Sequence, residues 1–341
     1  MPRDSIGSPQ IGRRQLLTSA GLGVAAVTIG PGLGAPFISR AYAQTKTLSI
    51  VQWSHFVPAF DTWFDKFAKD WGEKQGIAVS VDHIPELDVA ARAAAEVAAQ
   101  SGHDLFMWNG AGGPHLYRNH LVNMTNFVTG LEKKYGEVSV IGRQIGYNIA
   151  SKTWSAYPDY YINYPVLYRK DLWDEIGVTP DTWDAIRTGG AKLKKKGNPV
   201  GISLGRSNDP NATWRGLLWS YGASVQDKTG KNVILDSKEA VEAVKYVTAL
   251  YKEAMTDEVL SWDDSSNNRY IISGVGSLII NPLSAYRTAQ QVNPKLADNL
   301  FFLAAPKGPA RQLMDCSPNS YGIWKFAKNQ ENALAFLTHY T

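Results

Sequence analysis

Residues 161–186 read YINYPVLYRKDLWDEIGVTPDTWDAI, and this stretch decides the fold. Val166, Leu167 and Tyr168 make a short apolar run suited to a strand. Asp171 opens a short helix that stops at Gly177, and Thr182, with Pro180 just ahead of it, is placed to N-cap the next helix. The run predicts a chain that crosses from one lobe to another and at once restarts an α/β unit.

Upstream, residues 47–53 (TLSIVQW) predict a first strand. Pro58 starts a helix whose Phe60, Trp63, Phe64, Phe67 and Trp71 keep a 3.6-residue period until Gly72 and Gly76 end it. That stripe is assigned to the core rather than to a ligand. Ile77, Val79 and Val81 alternate as a second strand, an alanine-rich helix covers about 86–100, and residues 104–108 (DLFMW) predict a third strand. Downstream, residues 200–204 predict a strand. Asp209 with Pro210 caps a helix bearing Trp214, Leu217, Leu218 and Tyr221, which Gly222 ends. Ser237 caps another, with Ala240, Val244, Val247 and Tyr251 as its buried stripe, and residues 274–280 (GVGSLII) form an apolar strand ending in Asn281 and Pro282. Strands alternating with helices over short connections imply an α/β fold on mostly parallel, doubly wound sheets.

The ends and the composition narrow the class. Arg13 and Arg14 precede Leu16 and Leu17, a mild apolar stretch follows from Gly21 to Ile29, and Ala41, Tyr42 and Ala43 offer a small-x-small cleavage site. These features predict an export signal over residues 1–43, of twin-arginine type with a Sec signal as the alternative, cut near Ala43, and a periplasmic mature protein. The signal holds Arg3, Arg13, Arg14, Arg40 and one acid, Asp4, so its removal lowers the net charge from +4 to +1. A near-neutral protein gives no electrostatic reason to expect nucleic acid or an anionic membrane as partner. The single cysteine, Cys316, rules out an internal disulfide and any cysteine-rich metal or iron–sulfur site.

The order of strand, KDL, Gly, Pro and TW within 161–186 resembles the family-1 extracellular solute-binding proteins of ABC importers, the maltose-binding-protein family. The likeness continues through Leu303, Ala304, Ala305 and Pro306, residues 320–326 (SYGIWKF) and a helix beginning near Asn329, and so covers 47–340. It implies a two-lobed periplasmic binding-protein fold (type II), each lobe a doubly wound, mainly parallel sheet flanked by helices. Residues 44–161 and 281–341 would form the first lobe with its return segment and 162–280 the second, with crossings near 162–165 and 280–283. Family members continue through further helices beyond the position of Thr341, so the resemblance also implies a C-terminally shortened chain. The implied activity is that of a monomeric, cofactor-free binding protein, not an enzyme. It would close its lobes on a small polar solute and deliver it to the transmembrane permease subunits of an ABC importer.

In open α/β sheets ligands bind beyond the carboxyl ends of the strands. That rule selects Trp53, Ser54, His55 and Phe56 after the first strand, and Trp108, Asn109, Gly110 and Ala111 after the third. It also selects Tyr160, Tyr161 and Asn163 at the crossing, Trp214 on the 209 helix, and Asn281 after the strand at 274–280. The set is rich in aromatic and amide groups and poor in charge. An indole covers the C–H face of a pyranose while amides meet its hydroxyls, so the expected ligand is a mono- or oligosaccharide. Trp108 is the foremost candidate. Its segment, DLFMWNGAGG, resembles the strand-end tryptophan segment of the family's maltose binder, with Ala111 and Gly112 where a charged pair stands there. A polyol, a glycerophosphodiester, a polyamine, or ferric ion held by Tyr160 and Tyr161 are alternatives within the same class. A periplasmic redox or hydrolytic enzyme exported folded is the alternative outside it. Against that stand the lack of CxxCH and HExxH motifs. Asp263 and Asp264 are assigned to a solvated helix start rather than to an acid/base pair.

Overall fold

The structure is a computed structural model that describes residues 46–110 and 112–341. The export signal over 1–43, its cleavage near Ala43, and Ala111 lie outside the described residues. Among the described residues ten strands carry the fold: β1 (Lys46–Trp53), β2 (Ile77–Ile84), β3 (Leu105–Asn109), β4 (Tyr147–Asn148), β5 (Thr153–Trp154), β6 (Tyr157–Asn163), β7 (Val166–Arg169), β8 (Leu278–Ile280), β9 (Leu300–Leu303) and β10 (Cys316–Ile323). Among the described residues no helix is long and apolar enough to cross a membrane.

One sheet has the order β2-β1-β3-β10-β6. β1 runs parallel to β2 and β3, whereas β10 is antiparallel to both β3 and β6. A second sheet, β8-β7-β9, is antiparallel throughout, and β4 with β5 makes a separate hairpin. The fold is α/β, but its sheets are mixed, which corrects the expectation of mainly parallel, doubly wound sheets. The reason lies in long-range pairing: β10 enters between β3 and β6 from far along the chain, and both neighbours of β7 run against it. Residues 200–204 form no strand. Val200 makes a single parallel bridge to Leu278, Gly201 N–H donates to the Leu278 carbonyl at 2.8 Å, and Leu204 N–H has already turned to the Val259 carbonyl.

Residues 161–186 carry the chain from the first sheet to the second. β6 ends at Asn163 in the first sheet and β7 begins at Val166 in the second, so Tyr164 and Pro165 are the whole link. The helix Lys170–Glu175 ends before Gly177, whose φ of 66° is the left-handed turn that glycine adopts freely. Thr182 Oγ1 accepts from Ala185 N–H at 3.0 Å and starts the helix Trp183–Lys195. The pairing after β8 is as follows. The chain does not rejoin the first sheet at Asn281, because the apolar face of β7 and β8, Leu167 and Ile279, is buried by Ala285, Ala289 and Leu296. After those helical residues β9 pairs with β7, and the chain re-enters the first sheet only as β10.

Each sheet has its own core. Leu48, Ile50, Phe64, Phe106, Trp324 and Phe336 anchor the first, and Trp173, Trp183, Val200, Leu217 and Leu250 the second. Two helix faces differ from the predicted stripes. In Pro58–Gln75 the ring of Trp63 is half exposed, and in Lys238–Ala254 the buried face is Ala240, Ala243, Tyr246 and Leu250 while Val244 is 63% exposed. The core takes the face that lets Tyr246 donate to the Trp183 carbonyl.

Candidate functional site

A cavity of about 380 Å³ opens where the C-terminal ends of β1, β3 and β6 meet the second sheet's helices. From the first sheet's side it is walled by Trp53, His55, Phe56, Phe60, Asn109 and Tyr160, and from the other by Tyr164, Asn208, Asp209, Asp264, Asn281 and Ser284. Among the described residues no Lys or Arg lines it.

The aromatic wall is pre-ordered. Trp53, 5% exposed, donates its indole N–H to Asn319 Oδ1 at 3.2 Å, and its ring lies 4.0 Å from that of His55. Phe60 packs on the other side of His55 with centroids 4.1 Å apart. His55 Nδ1 lies 2.7 Å from Asp61 Oδ1, and Nε2 lies 3.1 Å from the Tyr160 hydroxyl. Burial outweighs the Asp61 carboxylate and lowers the His55 pKa to about 4. The ring is therefore neutral, with Nδ1–H donating to Asp61 and Nε2 accepting from Tyr160. Burial also raises the Tyr160 phenol, which keeps its proton for that bond.

The opposite corner is acidic. Asp264, 3% exposed, accepts from the backbone N–H of Asn208 at 3.0 Å and of Asp209 at 2.9 Å, and so caps the helix Asn208–Ser220 from 55 residues away. Asp209, predicted to cap that helix, instead turns inward, where its carboxylate accepts from Asn267 Nδ2 at 2.9 Å. Burial and the Asp264 charge push Asp209 up to about 8. Behind them Glu86 is raised to about 8 by burial, then by Asp264 and Asp209. Asn281 is held in an amide network, accepting from Asn267 Nδ2 at 3.0 Å and donating to Asn268 Oδ1 at 2.7 Å. Among the described residues no group of three or more His, Cys, Asp or Glu side chains is arranged to hold a metal ion.

Of the residues selected from sequence, the fold brings Trp53, His55, Asn109, Tyr160 and Asn281 to this cavity, together with Phe56. The others stand elsewhere. Trp108 points into the first core, wedged against Phe106 and Trp324 with centroids 4.7 and 5.3 Å away, because its strand alternates and only Asn109 faces the cavity. Gly113 lies so near that indole that a Cβ there would meet it at 2.1 Å. Trp214 packs in the second core and donates to the Ser203 carbonyl at 2.9 Å. Ser54 N–H is spent on the Ile84 carbonyl, and Gly110, with φ at 87°, on the Pro318 carbonyl. Asn163 is exposed opposite Cys316, and Tyr161, 47% exposed, borders a separate cavity with Asp159. Phe60, assigned to the core, is a wall of the site. Tyr164, Asn208, Asp209, Asp264 and Glu86 were missed, and Asp263 alone fulfils the solvated role given to the pair, accepting from Ser265 and Ser266. The only signal for the acidic corner was the second aspartate of WDD, which sequence spacing could not join to Asp209.

Comparison with known proteins gives a consistent result. Residues 58–341 match the profile of the family described as bacterial extracellular solute-binding protein. No curated protein matches the chain at a significant level. Among solved structures, an ABC transporter solute-binding protein from Thermotoga lettingae TMO bound with α-D-tagatose is 19% identical, with a TM-score of 0.76 over 85% of this chain and 76% of that one. Maltose-bound MalE3 of T. maritima is 19% identical, with a TM-score of 0.76 over 85% and 75%. A solute-binding protein from Agrobacterium radiobacter K84 in complex with ribitol is 18% identical, with a TM-score of 0.72 over 86% and 75%.

Proposed function

We propose, from the premise that this chain belongs to the family of bacterial extracellular solute-binding proteins, that its cavity captures a sugar or polyol. Membership makes it a periplasmic binding component of an ABC importer rather than an enzyme. The observation that carries the ligand reading is the lining itself: Trp53, Phe56, Phe60 and Tyr160 offer flat apolar faces, while Asn109, Asn208, Ser284 and the carboxyls supply donors and acceptors for hydroxyls. The relatives bound to tagatose, maltose and ribitol support the same class.

The mechanism that follows is closure of two lobes, one on each sheet. The first lobe holds β1, β2, β3, β6 and β10, and the second β7, β8 and β9, with links at residues 164–165 and between Leu303 and Cys316. Solute touching both walls favours the closed form by its differential contact with it, and a monomer in that form meets the permease. Export by the twin-arginine route is part of the proposal. Replacing Arg13 and Arg14 by lysine should leave the precursor in the cytoplasm, and undiminished export would assign the signal to the general pathway.

Calorimetry against tagatose, maltose, ribitol and mannitol, with spermidine, glycerophosphocholine and ferric citrate as the other arms, tests the ligand class. Saturable binding of at least one sugar or polyol, weakened in Trp53→Ala, is the expected result. Binding confined to spermidine, glycerophosphocholine or ferric ion would overturn it.

A further inference from the structure

Two carboxyls line the cavity on the second sheet's side, Asp209 at 7% exposure and Asp264 at 3%. They are neighbours, since Asp264 Oδ1 accepts the backbone N–H of Asp209 itself at 2.9 Å. Among the described residues neither Lys nor Arg lines the cavity, and burial keeps His55 neutral. The two acids therefore face the solute space without a counter-charge.

They differ in what they have left to offer. Asp264 spends both oxygens on the N-terminus of the helix Asn208–Ser220, whose N–H groups and dipole offset its charge. Asp209 is met by neutral donors, Asn267 Nδ2 at 2.9 Å and the Tyr164 hydroxyl, and a carboxylate has room for about four donors. A buried carboxylate next to a second one is costly unless a positive group pairs with it. A sugar hydroxyl can donate to Asp209 but brings no charge. A metal ion would bring charge, but among the described residues no three His, Cys, Asp or Glu side chains converge to hold one. A cationic nitrogen on the solute supplies both the donor and the charge. The burial and the Asp264 charge that raise Asp209 to about 8 act in the same sense, since they register the missing cation.

We infer that the solute is an amine-bearing sugar or polyol whose ammonium group donates to the Asp209 carboxylate while its carbon frame lies against Trp53, Phe56 and Phe60. The inference rests on the sugar or polyol reading proposed above and narrows it. The ammonium N–H takes the place of the proton on Asp209, which leaves to water, and no bond within the solute changes. A cavity of about 380 Å³ is of the size that holds one such small solute.

Calorimetry on the full chain near neutral pH compares probes that differ at one group: glucosamine with glucose and N-acetylglucosamine, galactosamine with galactose, and glucamine with sorbitol. At least one amine should bind about tenfold or more tightly than its uncharged partner, the ratio that one charge-assisted hydrogen bond supplies. Asp209→Asn keeps an acceptor for Asn267 but not the charge, and should bring that ratio to within about twofold of unity. The ratio in the unaltered protein stands as a test by itself should the variant fail to fold. Amines that do not bind, or that bind no more tightly than their uncharged partners, would overturn the inference, as would an amine preference that survives in Asp209→Asn. If the uncharged sugars or sorbitol bind and the amines do not, the inference fails and the sugar or polyol reading stands. If spermidine binds and none of the hydroxylated probes does, that reading fails and the inference with it.

Discussion

The two walls of the cavity are both largely uncharged near neutrality, yet they reach that state by opposite routes. On the first sheet's side His55 loses its charge to burial but keeps a partner on each ring nitrogen, so its wall is satisfied before any solute arrives. In the acidic corner Asp209, from the second sheet's side, and Glu86, which follows β2, are pushed upward by burial and then by neighbouring carboxyls. The histidine is matched by its neighbours, whereas the carboxyls are matched by protons. Desolvation alone does not distinguish them; what matters is whether each buried group has a complementary neighbour.

The sharpest way to break this comparison is to remove a ring that belongs to neither wall. Trp108→Ala should cost about 3 to 5 kcal/mol of stability in urea unfolding, the scale for emptying a buried aromatic site, while solute affinity measured under folding conditions stays within about twofold. A large affinity loss with unchanged stability would return Trp108 to the site. Asp264→Ala should cost about 2 to 4 kcal/mol, because the N–H groups of Asn208 and Asp209 lose a buried acceptor. An effect below about 0.5 kcal/mol would show that water replaces it. Trp53→Ala should weaken sugar or polyol binding by about 1 to 3 kcal/mol in calorimetry, the size of a lost stacking platform.

The pH dependence separates the walls directly. Glu86 and Asp209 have folded pKa values raised to about 8, so the folded state binds more protons than the unfolded one above about pH 4. Their contribution to stability is greatest at the low end and declines as pH climbs to 8, by at most about 1.4 kcal/mol per pH unit for each proton. His55 has the opposite linkage. Its folded pKa is lowered to about 4, so its contribution is present above about 6.5 and is lost as pH falls toward 4. Urea titrations from pH 4 to 9 on Glu86→Gln and His55→Gln should flatten opposite arms of the profile. The smallest effect is expected at Val244→Lys, within about 0.5 kcal/mol, since that side chain already faces water.

What could be read from sequence was what is decided locally. Pro58 at a helix start, Gly177 in the left-handed region and Thr182 capping at Ala185 each depend on a few neighbouring residues, and each stands where its chemistry put it. Trp53, His55 and Asn109 reach the cavity for the same reason, as residues at the ends of recognisable strands. Trp108 misses the cavity by one position, because period-two alternation sends consecutive residues to opposite faces and the core took the larger one. The return of the chain and the acidic corner were illegible for another reason. β9 joins β7 across more than a hundred residues, and the Asn208 to Glu86 contact spans 122. Nothing in the local pattern around Glu86, Asp209 or Asp264 records that they meet.

The placement of β10 bears on how the polypeptide acquires its structure in time. The second sheet is complete once residue 303 has been made, but the first is interrupted until residues 316–323 insert between β3 and β6. Until then β3 and β6 each present an unpaired edge, although their own residues were synthesised long before. The later-encoded core is thus free to condense first, and the earlier-encoded one waits on a strand with high sequence separation from its partners, the kind of contact that slows folding. During that interval the nascent chain carries an open sheet that a chaperone, or another copy of itself, can read.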